Sequence, residues 1–174
     1  MQLAMSVKFG ALVVLAALFM PALAVADDRA DKQYQGRKVC AGCHKAQDAL
    51  WSGSHHDLAM QPASEQTVSG DFDSASLTHF GVTSTFFRKD GAFMVRTEGP
   101  DGKLHDYEIR YTFGAEPLQQ YLIAFPGGRL QALSLAWDSR PADRGGQRWF
   151  HLYPGERITH DDELHWTQPA QNWN

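Results

Sequence analysis

His105-Asp106-Tyr107-Glu108-Ile109-Arg110-Tyr111-Thr112-Phe113 alternates without a break. His105, Tyr107, Ile109, Tyr111 and Phe113 fall on one face, and Asp106, Glu108, Arg110 and Thr112 on the other. Strand side chains project to opposite faces in turn, so this pattern predicts a half-buried strand, with His105 partly covered. Such alternation belongs to antiparallel sheets, because parallel strands are covered on both faces and read as continuous apolar runs. Upstream, Thr85-Phe86-Phe87-Arg88 and Ala92-Phe93-Met94-Val95-Arg96-Thr97 flank Lys89-Asp90-Gly91, and Asp-Gly is a strong hairpin signal. Pro100-Asp101-Gly102 marks the next turn. Downstream, Leu118-Gln119-Gln120-Tyr121-Leu122-Ile123-Ala124-Phe125 suits strand or helix, and the following Pro126-Gly127-Gly128 favours strand. Leu130-Gln131-Ala132-Leu133-Ser134-Leu135-Ala136-Trp137 comes next, with Leu133, Leu135 and Trp137 in phase. Residues 78–138 are therefore expected to form about five strands, as a meander or small sandwich. This stretch has no nucleophile elbow, phosphate loop or repeated carboxylate pair, which makes it a packing platform or a docking surface.

Composition sets the outer bounds. The chain has 174 residues, 43% of them hydrophobic, enough for one ordinary core and too many for wholesale disorder. A formal net charge of −4 gives no electrostatic reason to expect a nucleic-acid partner. Two cysteines exclude a disulfide-dense scaffold.

The N-terminus reads as a secretory signal. Lys8 precedes an unbroken apolar run over 9–20, Pro21 breaks it, and Ala24-Val25-Ala26 supplies the small residues of a cleavage site. The run is too short for a membrane-spanning helix, which takes about 20 residues. Cleavage after Ala26 is expected, giving an exported, periplasmic product without a membrane span.

Val39-Cys40-Ala41-Gly42-Cys43-His44 carries the chemistry. C-x-x-C-H is the attachment signature of c-type haem: the two thiols bind the porphyrin vinyl groups and the next imidazole reaches the iron. A helical turn brings both sulfurs to one side of the ring while His44 points at the metal. Other uses of the two thiols fit less well. Structural zinc needs four ligands, and no second C-x-x-C exists. A thioredoxin-like pair follows a buried strand, which Tyr34-Gln35-Gly36-Arg37-Lys38-Val39 does not resemble. A disulfide would close too small a loop to contribute much.

Trp51-Ser52-Gly53-Ser54-His55-His56-Asp57-Leu58-Ala59-Met60 gathers three further candidate ligands, His55, His56 and Met60. A helix starting near Cys40 is expected to run through Trp51. On such a helix His56 lies about 18 Å beyond His44, whereas two axial ligand atoms on one iron are about 4 Å apart. A sharp reversal at Gly53 would close that gap; otherwise His56 serves another haem, or none. His79, His151 and His165 each adjoin an aromatic residue and suit a haem edge or an ordinary core. The tail aromatics, Trp149, Phe150 and Trp166 among them, need a flat apolar partner, either a porphyrin or a protein core.

The C-x-x-C-H pentad, the Trp51–Ala63 string (51–63), Tyr111-Thr112-Phe113-Gly114, Pro117-Leu118-Gln119-Gln120-Tyr121-Leu122 and Gln171-Asn172-Trp173-Asn174 together resemble bacterial multihaem cytochromes c. These are the proteins akin to the tetrahaem nitrification cytochromes, often with tetratricopeptide repeats. The resemblance implies electron transfer, bis-histidine ligation with His56 as a ligand, and redox partners or a further multihaem portion. Family members carry more C-x-x-C-H motifs. The chain is therefore expected to be an N-terminal part of such a cytochrome, with its tail exposed if made alone.

The resulting expectation is an α+β chain. It comprises a signal peptide (1–26), a short helical haem-attachment segment (27–77), an antiparallel β-rich insert (78–138) and an irregular, aromatic-rich tail (139–174). Cys40 and Cys43 anchor haem c, His44 ligates its iron, and His56 is the further iron ligand. Electron transfer is favoured over catalysis. The alternatives are an oxidoreductase with an open iron position, or a copper-binding module using His55, His56 and Met60.

Overall fold

The computed structural model describes residues 36–174, so the signal-peptide reading of 1–26 lies outside the described residues. Two short helices come first, α1 (Arg37–Cys43) and α2 (Lys45–Trp51). Nine strands follow: β1 (Met60–Pro62), β2 (Ala75–His79), β3 (Val82–Lys89), β4 (Ala92–Glu98), β5 (Leu104–Phe113), β6 (Leu118–Phe125), β7 (Arg129–Ala132), β8 (Leu135–Asp138) and β9 (Arg148–His151). The α+β class is as the sequence implies. The strands reach beyond the 78–138 stretch on both sides, from Met60 to His151. None of the described helices is long and apolar enough to cross a membrane.

All the strand pairings are antiparallel, in the order β2-β3-β4-β5-β6-β8-β9, with β1 added to β5 and β7 to β6. Asp90-Gly91 makes the expected two-residue hairpin, both residues at positive φ (50° and 82°). That backbone twist matches the right-handed twist of the strands it joins. Phe80-Gly81 joins β2 to β3 in the same way, with φ of 44° and 89°. The run 130–137 is two strands, β7 and β8, with Leu133 and Ser134 between them.

The alternation along β5 does not survive as one face. Ile109 pairs with Ile123 and Tyr111 with Leu122, so Arg110 is an extra residue in the ladder. Such a bulge exchanges the two faces. Ile109 is buried before it and Thr112 after it, while Tyr111 and Phe113 are only half-buried. His105 is exposed, its Nε2 paired with Asp101 Oδ1 at 2.8 Å, instead of half-covered.

The sheet curls round an aromatic core until its edge strands β2 and β9 approach each other. Phe72, from the loop between β1 and β2, meets Phe86, Phe93, Tyr121 and Trp149 edge-on at centroid distances of 5.1–5.8 Å. That geometry sets positive ring edges against negative faces. Trp166, in the tail, joins the same core, and its indole N–H donates to Glu98 O at 2.8 Å. Fully buried Gln131 donates both amide hydrogens, to Trp166 O and Gln168 O, each at 2.9 Å. Trp173 N–H bonds Leu130 O at 2.8 Å, so the tail follows β7 to its end. Trp149 and Trp166 thus cover protein, and the expected exposure of the tail does not arise for them.

Candidate cofactor-attachment site

α1 places Cys40 and Cys43 three residues apart, hence on neighbouring turns of one helix face. Both are exposed free thiols. His44 separates the helices at φ −107° and ψ 46°, and its backbone N–H caps Cys40 O at 3.0 Å. The Arg37 guanidinium grips the Asp48 carboxylate through two bonds of 2.5 and 3.0 Å and lies 5.1 Å from the Trp51 ring centre. Eleven residues along one straight helix span about 16 Å, so this contact requires the chain to turn at His44. The single helix from Cys40 to Trp51 is therefore corrected to two, with the break at the proposed iron ligand. Gly53, at φ 74°, turns the chain a second time. The two hydrogen bonds from Arg37 hold the Asp48 carboxyl below the usual carboxylate range.

The corner encloses an open concavity of ≈ 660 Å³, walled by Arg37, Cys40, Ala41, His44, Asp48 and Trp51 among others. That volume lies within the range of cofactor pockets. Neither helix buries a residue, and Val39, Leu50 and Trp51 are 59%, 83% and 42% exposed. A soft-ligand thiol and an imidazole share the wall with an aromatic ring, on helices that have apolar surface left to cover. Of the three motif residues, Cys40 and His44 belong to this wall and Cys43 does not.

His56 is not among the residues forming that wall. It sits exposed in the turns after Gly53, where Asp57 Oδ2 accepts the Gly53 N–H at 2.8 Å. His55 is also exposed, whereas Met60 is half-buried in β1 opposite Phe113. Among the described residues there is no group of three or more His, Cys, Asp or Glu arranged to hold a metal ion.

The fold brings His79, His151 and His165 to one small cavity of ≈ 40 Å³, with Ser84, Glu98 and Ser134. The His79 and His151 rings stack 3.8 Å apart and 3° from parallel. Burial, with His79 alongside, pushes the His151 imidazole down to about 4. Burial also lowers His165, which has Thr167 Oγ1 at 2.8 Å and Glu98 Oε2 at 3.7 Å. The meeting of β2 with β9 brings His79 to His151 and the tail adds His165, and nothing local in the sequence marks this cluster.

Comparisons with protein families, with curated proteins and with solved structures find no match for this chain.

Proposed function

We propose that this chain is an exported c-type haem electron-transfer protein, part of a multihaem cytochrome. Cys40 and Cys43 are the thioether anchors and His44 the proximal iron ligand. The observation that carries this reading is the apolar concavity at the α1–α2 corner, whose wall contains Cys40, His44 and Trp51. A haem bound there supplies a one-electron iron couple. Cys40 and Cys43, both free and exposed, would hold the porphyrin through thioethers, which requires both thiols reduced. Arg37 and Asp48 brace the two helices across the concavity, and Trp51 offers an aromatic face to the ring. The leader directs the product to the periplasm, where redox proteins or a further haem-bearing portion exchange electrons with it.

His56, which is not among the residues that wall the concavity, is the proposed further iron ligand. Its exposed position favours one second reading, an iron with an open sixth position that takes a small molecule. The two separate spectroscopically. Bis-histidine ligation gives a low-spin spectrum that His56→Ala converts to high spin. A high-spin spectrum in the unaltered protein, unchanged by His56→Ala, removes His56 from the ligand set. Absence of any haem absorption from both proteins, made in a host with haem-attachment machinery, refutes the haem reading itself.

A further inference from the structure

The cavity between β2 and β9 is closed by an arrangement whose protons can be assigned from its bonds. Tyr153 O accepts from His79 Nε2 at 3.1 Å, because a carbonyl can only accept. Tyr153 N–H donates to His151 Nδ1 at 3.0 Å. Neutral His79 therefore carries its proton on Nε2, and neutral His151 carries its own on the nitrogen remote from Tyr153. One peptide backbone residue thus ties together two stacked rings from the two edges of the curled sheet.

Adding a proton disrupts this arrangement. On His151 the only free position is Nδ1, and a hydrogen there displaces the Tyr153 N–H bond. On His79 the second proton goes to Nδ1, which keeps its bond to Tyr153 O but sets a cation face to face with His151. With both rings charged, two cations face each other at 3.8 Å. The other titratable groups facing the cavity are Glu98 on β4 and His165 from the tail, which lie 3.7 Å from each other. The Tyr153 phenol ring lies 6.1 Å from His151. Ser84 from β3 and Ser134 before β8 complete the polar wall, and neither carries charge. Among the described residues a carboxylate is thus available to His165, and none is paired with the stacked rings.

We propose that the His79–His151 stack is an acid-released latch that holds β2 against β9 and opens the curled sheet along that seam when His151 gains a proton. The main-chain ladders of the sheet do not titrate, and the Asp138 carboxyl on β8 is held down at about 2 by Arg140, below the range in which the latch opens, so opening is local.

Hydrogen exchange on the full chain, corrected for the intrinsic pH dependence, reads this directly between about pH 7 and about pH 4. Amides of β2 and of the 148–153 stretch are expected to lose protection by about tenfold or more, with β4 and the 104–108 part of β5 unchanged. His151→Phe keeps an aromatic partner for His79 without the titrating nitrogen, and is expected to abolish the acid-dependent part. Loss of protection spread evenly over all strands, or an acid response in His151→Phe equal to that of the unaltered protein, overturns the proposal. Should the variant not fold, the ring resonances of the unaltered protein decide. The latch requires His151 to titrate well below about 6.5 and together with loss of Tyr153 amide protection. Titration of His151 like a free surface imidazole, without change at Tyr153, overturns it equally.

Discussion

The indole of Trp149 lies flat on the ring of Phe86, with ring centres 3.4 Å apart and planes 2° from parallel. One comes from β9 and the other from β3, so a tail residue and an early strand share the centre of the core. Trp149→Ala removes an indole from a cluster that includes Phe72, Tyr121 and Trp137. Truncation of a buried aromatic leaves a cavity as well as losing burial, so about 3–5 kcal/mol of stability is expected to go. Denaturant unfolding of the purified chain checks it, and a loss under about 1 kcal/mol would show that the tail does not join the core.

Gly70 offers a second probe of the same centre. A methyl group there would stand 2.5 Å from Tyr121 Oη and 2.8 Å from the Trp149 ring. The Gly70 N–H also donates to that hydroxyl at 3.1 Å, so the backbone cannot simply retreat. Gly70→Ala is expected to cost about 1–3 kcal/mol through overpacking, measured by the shift of the unfolding midpoint. An unchanged midpoint would mean that the 63–74 loop does not lie against Tyr121.

Gln131 ties two points of the tail through one side chain. Gln131→Ala leaves the carbonyls of Trp166 and Gln168 without this donor beside a fully buried position. A loss of about 1–3 kcal/mol is expected, with faster proteolysis confined to residues 159–174. Cleavage rates equal to those of the unaltered chain would contradict this.

Acid sensitivity has a second source at the start of the β8–β9 turn. Two hydrogen bonds from the Arg140 guanidinium, of 2.9 and 2.6 Å, hold the Asp138 carboxyl down at about 2. A depressed folded value means the ionised form favours folding. The contribution is full above the unfolded value of about 3.9 and fades as pH falls toward 2. Asp138→Asn is therefore expected to be less stable than the unaltered chain at neutral pH, with the gap closing at the acid end. A gap constant with pH would place the effect in packing and not in charge.

Local signals carried the sheet a long way. Asp90-Gly91 and the period of two along 104–113 identify antiparallel hairpins, because turn chemistry and facing are short-range properties. The bulge at Arg110 escaped, since one extra residue is visible only against its partners on β6. The role of the tail was open for the same reason: nothing in Leu164-His165-Trp166 says that Trp166 lands beside Tyr107 and Phe125. At the candidate site the spacing of Cys40, Cys43 and His44 is fully legible, being contained in five consecutive residues. The break at His44 was not, as it rests on Arg37 reaching Asp48 across the corner.

The most direct measurement is the intact mass of the full chain recovered from the periplasm of a host with haem-attachment machinery. The account predicts a covalent gain of one haem, retained after denaturation and lost in the Cys40→Ser, Cys43→Ser double variant. An unmodified mass, with Cys40 and Cys43 both free or joined only to each other, would contradict it.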